Sequence, residues 1–162
     1  MTETSLIISA SMLPEYQDCA RRAAFKGFKE EFAKAGFKQA KPAKNIGAAI
    51  GTAAHAAFAQ LLTEKRDNFE PDRESAVKFA WSTFGELTVD GVMTDATTDN
   101  VETARVQLER VVREFTSSVL PYAHPLLIEE ELAVDAGDGF IFIGHMDLYD
   151  QSERVEDHKC GA

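Results

Sequence analysis

The sequence predicts an α+β fold in which a helical N-terminal half packs on an antiparallel β-meander. Apolar residues recur at helical spacing through most of the first 120 residues, and apolar strand-like runs separated by turn residues follow. Hydrophobic residues make up 44% of the 162 positions, which is enough for one packed core. We therefore expect residues 1–162 to form a single domain.

The helical half is expected to contain helices with recognisable start signals. Ser9 or Ser11 can cap the first helix, and Asn45 can cap the second. Small residues in the second helix allow a neighbouring element to pack closely against it. The expected helices span about residues 9–25, 45–62, 71–87 and 100–120, with loops at about residues 36–44 and 88–99.

The expected strands lie at about residues 126–134, 140–149 and 154–159, and the turn-rich stretch Asp135–Gly139 joins the first two. Asp157 and Lys159 lie two residues apart in the third strand, so their side chains share one sheet face. Asp147 joins them across the hairpin only if the loop has an odd number of residues. We expect the loop Gln151-Ser152-Glu153, or a bulge with the same effect.

Two carboxylates beside a lysine meet the needs of metal-dependent phosphodiester cleavage. Carboxylates hold the metal, and the ammonium positions water or neutralises developing charge. Asp-x-Lys also occurs in ordinary solvated strands, and Asp147 can simply start a turn. The apolar run Phe140–Ile143 favours a central strand that delivers Asp147 to a site.

The order of further motifs strengthens this interpretation. The chain contains Ser-x-Ser-x-Leu-x-x-Tyr-x-x-Cys, then Gly-x-x-x-His, Gly-x-x-Asp and Asp-x-Lys. The series resembles the RecB-like branch of the PD-(D/E)XK nuclease superfamily over nearly the whole chain, which implies a restriction-endonuclease-like core. The matching residues are Ser9, Ser11, Leu13, Tyr16, Cys19, Gly51, His55, Gly144, Asp147, Asp157 and Lys159.

The resemblance implies a role for each site residue. His55, Asp147 and Asp157 would be metal ligands, and the backbone carbonyl of His158 would complete the coordination. Lys159 would orient the attacking water and stabilise the transition state. The cofactor would be Mg²⁺ or Mn²⁺, with one histidine favouring Mn²⁺. The partner would be DNA, hydrolysed to a 5′-phosphate and a 3′-hydroxyl in recombination, repair, phage replication or CRISPR adaptation.

The resemblance also implies parts that this chain is expected to lack. Family members continue past the Asp-x-Lys strand into a helix with a Gln-x-x-x-Tyr motif and a further strand, and neither follows Lys159. We therefore expect a fragment, incomplete at the C-terminus, with an open sheet edge for a protein partner or second copy. Some relatives bind an iron–sulfur cluster through a cysteine at the Cys19 position and three C-terminal cysteines. Only Cys160 stands there, so we expect no cluster.

The charge distribution bears on the partner. The net charge of −10 argues against broad nonspecific affinity for nucleic acid. Residues 21–44, the basic segment, carry eight Lys or Arg and two Glu, a balance of +6, so the remainder carries −16. Phenylalanines lie among these lysines. Two interpretations stay open: a surface that follows DNA phosphates, or an amphipathic helix with Phe in the core.

Other features bear on location. No apolar stretch is expected to reach the ~20 residues that span a membrane, and the first residues lack a signal-peptide pattern. The two cysteines, Cys19 and Cys160, form no disulfide framework. We therefore expect a protein of the reducing cytoplasm, in a bacterial or phage-infected cell.

Two other functions stay open beside the nuclease. One is a catalytically incomplete, nuclease-derived module that binds DNA or acts as a scaffold. The other is a helical partner-binding protein with an incidental hairpin. Among neighbouring residues, His145 could compete with His55 and is expected to be structural. Glu129, Glu130 and Glu131 are expected to form a solvated edge, with Glu130 as the reserve ligand.

Overall fold

The computed structural model describes residues 6–9, 12–38 and 44–159, which form a mixed α+β structure. The strands are β1 (Leu6–Ser9), β2 (Lys44–Asn45), β3 (Val92–Met93), β4 (Pro125–Gly137), β5 (Phe140–Asp150) and β6 (Val155–Glu156). The helices are α1 (Met12–Asp18), α2 (Ala20–Gly27), α3 (Lys29–Lys34), α4 (Ile46–Arg66), α5 (Arg73–Thr88) and α6 (Val101–Ser118).

The chain divides into two compact units. The first comprises Met1–Pro42 and Glu131–His145, and the second comprises Ala43–Glu130 and Met146–Ala162. All of the predicted site residues belong to the second unit. The single-domain assignment stays a prediction.

In the first unit, a strand precedes the helices. β1 pairs in parallel with the start of β5, from Leu6 opposite Phe140 to Ser9 opposite Ile143. The sheet, in the order β1-β5-β4 with β6 on β5, is therefore mixed. β4, β5 and β6 are neighbours as expected, and β5 pairs with β6 in antiparallel fashion, whereas the expectation of an all-helical N-terminal half is wrong because β1 adds a parallel strand. Ser9 lies in β1 and not at a helix cap, while Ser11 lies outside the described residues. A strand as short as β1 is too brief for its periodicity to be distinguished from a helix start.

The predicted first helix, at about residues 9–25, is divided into α1 and α2, and a further short helix, α3, follows beyond its predicted end. Cys19, with φ −154°, separates α1 from α2, and Phe28, with φ −114° and ψ 48°, separates α2 from α3. Aromatic contacts join the pieces: the ring centroids of Phe25 and Phe32 lie 4.7 Å apart, and those of Phe32 and Phe37 lie 5.9 Å apart. The phenylalanines therefore pack on one another.

The second unit is built on α4, α5 and α6, whose apolar faces form its core. Asn45 caps α4 as predicted, because its side chain accepts hydrogen bonds from the backbone N–H groups of Gly47 and Ala48. Alanines on α4 lie against the core, whereas a Cβ at Gly51 would meet open space. Small size at Gly51 is therefore not required for the packing. The largest fully buried apolar side chains are those of Phe84, Ile46, Leu61, Leu62, Leu108, Leu148, Val77 and Val112.

Helix α4 also has a length and composition that would let it cross a membrane. The expectation that no apolar stretch reaches this length is wrong, because the alanine-rich run continues through Leu61 and Leu62. Half of its most apolar stretch is buried inside the structure, and core helices of soluble proteins pass the same test. The structure is compatible with a soluble protein.

The β5–β6 hairpin confirms the predicted odd loop. Leu148 pairs with Glu156 and Tyr149 pairs with Val155, in antiparallel register. The Asp150 N–H donates to the Arg154 carbonyl at 2.9 Å, which leaves Gln151-Ser152-Glu153 as the loop. One further step of this register would set position 147 opposite position 157, on one face of the hairpin.

β6 is shorter than predicted. Regular pairing ends at Glu156, and residues 157–159 have no regular secondary structure. The His158 N–H donates to Asp147 Oδ2 at 2.5 Å. Because this donor is taken by a side chain, it is not available to extend the backbone pairing, and the chain departs from β5.

Candidate metal centre

His55, Glu129 and Asp147 bring three potential metal ligands together. His55 Nδ1 lies 3.4 Å from Asp147 Oδ1 and 3.7 Å from Glu129 Oε1. Each residue offers one ligand atom, and all three atoms lie within 4.8 Å of one another. The structure therefore places His55 beside Asp147, as the sequence predicts, although the two lie far apart in the chain.

Each member of this three-residue group is held by a different element. His55 projects from the middle of α4, next to the buried Ala54, and its side chain is 27% exposed. Asp147 lies on β5 between the buried Met146 and Leu148, and its side chain is only 13% exposed. The core therefore anchors both ligands, with their polar ends at its border.

Glu129 joins the group through an unusual backbone conformation. It lies within β4 with φ +51°, a region that side chains with a Cβ rarely adopt. Such strain costs about 1–3 kcal/mol, and it concentrates at functional sites. A residue with this backbone conformation interrupts the alternation of side chains between the two faces of a strand. The sequence therefore could not show to which face each glutamate side chain points.

Glu129, and not the reserve ligand Glu130, is the member of the Glu129–Glu131 run that belongs to the three-residue group. Glu130 lies in the second unit. The hydrogen bond to Asp67 is the main cause that raises the pKa of the Arg66 guanidinium, and the negative charge of Glu130 makes a smaller contribution. Three consecutive glutamates gave no sequence signal that could distinguish Glu129 from its neighbours. The backbone conformation of β4 determines which of the three glutamates reaches the group.

Asp157 and Lys159 form a close ion pair beside the group. Lys159 Nζ lies 2.6 Å from Asp157 Oδ2, with the two side chains 81% and 59% exposed. The hydrogen bond from Lys159 lowers the pKa of Asp157 and raises that of Lys159. Smaller effects on Asp157 come from Asp147 and His55, which sets Asp157 near the three ligands. Lys159 is thus cationic at neutral pH, and Asp157 is anionic.

The His158 side chain is 12% exposed and packs against two aromatic rings. Its ring lies edge-on to Phe58 and Phe115, with centroid distances of 5.9 and 5.2 Å, and those two rings stack at 4.0 Å. Its Nε2 has no hydrogen-bond partner among the described residues. Burial lowers the pKa of His158, against the nearby carboxylates of Asp147 and Glu156, so the imidazole is neutral at pH 7. The aromatic contacts hold the chain where its N–H meets Asp147.

Asp150, which the sequence did not single out, fixes the hairpin. Its carboxylate is almost fully buried and accepts hydrogen bonds from the backbone N–H groups of His124 and Ser152, at 2.6 and 2.7 Å, and from Ser152 Oγ. The pKa of Asp150 is lowered to about 2, and the hydrogen bonds from Ser152 make the largest contribution to this shift. These hydrogen bonds, together with the left-handed backbone of Glu153 at φ +62°, stabilise the three-residue loop that determines the register of the hairpin.

Neither His145 nor His124 is a member of the three-residue group. His145 belongs to the first unit, where its exposed Nε2 lies 3.4 Å from Glu131 Oε2. The His124 backbone binds Asp150 and also accepts a hydrogen bond from the Gln151 N–H. The predicted ligand role of the His158 carbonyl stays a prediction.

The donor set of the group fits a divalent cation. Donor atoms at about 2.1 Å from one octahedral ion lie about 3 Å apart when adjacent. The two separations from His55 Nδ1 are 3.4 and 3.7 Å and the third is at most 4.8 Å, so the donor atoms would approach one another on binding an ion. Two carboxylates and one imidazole suit Mn²⁺ and also accommodate Mg²⁺. Asp157 is not one of the three, and its place as a ligand stays a prediction.

Comparison with known proteins adds no family to this description. No protein-family model matches the chain, and neither a curated protein nor a solved structure matches it.

Proposed function

We propose that this chain is a metal-dependent DNA nuclease of the RecB-like, PD-(D/E)XK type, acting as an exonuclease. One observation supports the proposal above the others. The donor atoms of His55, Glu129 and Asp147 converge within 4.8 Å, and the Asp157–Lys159 ion pair stands beside them. Residues from four separate parts of the chain thus supply the ligands and the cation that this chemistry requires.

The charge and burial of each residue suggest its role in the proposed reaction. His55, Glu129 and Asp147 would hold Mg²⁺ or Mn²⁺, and Asp157 would complete the carboxylate set. A divalent ion bound there supplies Lewis-acid polarisation of a phosphodiester and lowers the pKa of a water. Lys159, whose ammonium is 81% exposed, reaches the solvent side where a phosphate would arrive and neutralises charge that develops on it.

The supporting residues keep this geometry. The His158 N–H donates to Asp147 Oδ2, which leaves Oδ1 directed towards His55 Nδ1. Because one oxygen of Asp147 is held by the backbone, its carboxylate has a fixed orientation before any ion arrives. Pre-orientation of this kind reduces the entropy lost on binding. We place this activity in the cytoplasm of a bacterial or phage-infected cell, in DNA processing, recombination or repair.

A second candidate is a noncatalytic, nuclease-derived module that binds DNA or acts as a scaffold. The 2.6 Å ion pair supports it, because Asp157 engages the lysine that catalysis would need. The net charge of −10 also disfavours a DNA-processing surface spread over the whole protein. This module would retain DNA equally well with and without a divalent ion.

The experiment that tests the proposal is cleavage of end-labelled linear DNA with Mn²⁺. EDTA and the variant Asp157→Ala are the negative controls. Asp90→Ala is the matched control, since it removes an exposed carboxylate far along the chain from the site. We expect 5′-phosphate products from the wild type and from Asp90→Ala, and loss of cleavage in EDTA and in Asp157→Ala.

The outcomes separate the two candidates. Cleavage that survives in Asp157→Ala at the wild-type rate contradicts the proposed nuclease site. No cleavage by the folded wild type, together with DNA binding that EDTA does not change, favours the binding module.

A further inference from the structure

The basic segment contributes exposed cations to the first unit. The structure describes the side chains of Arg21, Arg22, Lys29, Lys34 and Lys38 there, and all are exposed. Arg22 pairs with Asp18. Within the described residues, Lys29, Lys34 and Lys38 take part in no ion pair. Three lysine charges on and just after α3 are therefore available to a partner.

The aromatic residues of this segment are already used in packing. Phe25, Phe32 and Phe37 form a chain of ring contacts that joins α2 to α3 and to the turn after it. Rings that already contact one another are not arranged as a series of exposed surfaces on which nucleic-acid bases could stack. The phenylalanines instead join α2 to α3 and to Phe37, and the three lysines lie on α3 or just after it.

The charge of the segment is the reverse of the charge of the rest of the chain. Residues 21–44 carry +6 while the remainder carries −16. A polyanion is repelled by most of this protein, so the free energy of an encounter favours this one stretch. Phosphate groups spaced along a strand match several lysines at once, which a single small anion does not.

We propose that Lys29, Lys34 and Lys38 form a phosphate-backbone contact surface for DNA. The identity of the polyanion as DNA rests on the proposed function, whereas the surface itself is independent of the metal centre. The contact is electrostatic and therefore insensitive to base sequence. It retains DNA without a divalent ion and weakens steeply as salt is added.

The test is fluorescence anisotropy of a labelled single-stranded oligonucleotide in EDTA, which prevents cleavage. The variant is Lys29→Gln with Lys34→Gln and Lys38→Gln. The matched control removes three exposed cations from the second unit, namely Lys78→Gln with Arg105→Gln and Arg110→Gln. Both variants shift the net charge equally, so a difference between them reports position and not total charge. Circular dichroism confirms that each variant is folded.

The expected effect follows from counterion release. Three phosphate contacts to a single strand contribute about 2 to the slope of log affinity against log salt. Between 50 and 200 mM salt, the wild type should therefore lose about 20-fold more affinity than the lysine variant. At 50 mM salt, we expect the lysine variant to bind more than about tenfold more weakly, and the control to bind like the wild type.

Several results would overturn the inference. One is equal binding by the lysine variant and the wild type; another is equal weakening in both variants, which would show only a net-charge effect. A wild type that does not bind the oligonucleotide at low salt also overturns it. The proposed nuclease fails separately, through absent Mn²⁺-dependent cleavage, and that failure leaves an anisotropy difference between the two variants intact.

Discussion

Substitution of His158 perturbs the site without removing any proposed ligand side chain. The imidazole holds residues 157–159 against Phe58 and Phe115, while regular strand pairing ends at Glu156. In His158→Ala, the backbone N–H that binds Asp147 is retained, but the ring that positions it is lost. We therefore expect both stability and metal affinity to fall.

The size of the stability change follows from the contacts. Two edge-on aromatic contacts contribute about 1–3 kcal/mol together. The ring's burial and the cavity left behind add about 2 kcal/mol. Removing Nε2, which lacks a hydrogen-bond partner among the described residues, returns about 1 kcal/mol. The net loss in the free energy of unfolding is about 2–4 kcal/mol, and His158→Phe, which keeps the ring contacts, should stay within about 1 kcal/mol of the wild type.

The change in metal affinity separates positioning from mere stability. Loss of groups that orient metal ligands weakens binding by about 10–100-fold in metalloproteins. We expect His158→Ala to bind Mn²⁺ at least about tenfold more weakly, and His158→Phe to restore binding. Val77→Ala, a cavity in the buried face of α5, should lower stability while leaving Mn²⁺ affinity unchanged.

Urea unfolding and Mn²⁺ titration calorimetry measure the two quantities on folded protein. A His158→Ala variant that matches the wild type in both measurements would show that the imidazole does not position the site. A His158→Phe variant that is as stable as the wild type but fails to recover Mn²⁺ affinity would show that the ring contacts are not what positions Asp147.

Three further predictions concern Asp150, Glu129 and Asn45. The pKa of Asp150 falls to about 2 on folding, below its ordinary value of 3.8, so the unfolded chain binds more protons between these values and stability falls as pH drops from about 4 to about 2. The Tm of Asp150→Asn should be lower at neutral pH and less dependent on pH across that interval; equal pH profiles would contradict this. Glu129→Gly relieves the strain of φ +51° and should raise stability by about 1 kcal/mol while weakening Mn²⁺ binding, whereas lower stability would argue against strain. Asn45→Ala removes the cap of α4 and should lower the free energy of unfolding by about 1 kcal/mol in urea denaturation, and no change would show the cap to be dispensable.

Sequence periodicity predicted the elements of the second unit well. The starts of α4, α5 and α6 match capping residues, and their apolar stripes became the core. Prediction failed in the first unit, where β1 and α3 were not predicted and the first helix proved to be two. Parallel pairing of Leu6 with Phe140 is a contact between the two ends of the chain, which local periodicity does not encode.

The candidate site was predictable where regular secondary structure determines the direction of a side chain. The alternation of side chains along paired strands predicted a loop with an odd number of residues, which the structure has. The family resemblance placed His55 and Asp147 in one site, and in the structure their side chains lie 3.4 Å apart. Glu129 could not be selected, because its direction depends on a left-handed backbone inside β4. Asp150 was missed because a buried carboxylate that binds backbone N–H groups looks, in sequence, like any turn residue.

The most direct test of the central claim is Mn²⁺ binding to wild-type protein, followed by calorimetry or electron paramagnetic resonance. His55→Ala removes a proposed ligand, and His145→Ala is the matched control because it removes an exposed histidine that pairs with Glu131. The account predicts saturable binding in the wild type and in His145→Ala, and its loss in His55→Ala. Equal binding by both variants, or none by the wild type, would contradict a metal centre at His55, Glu129 and Asp147.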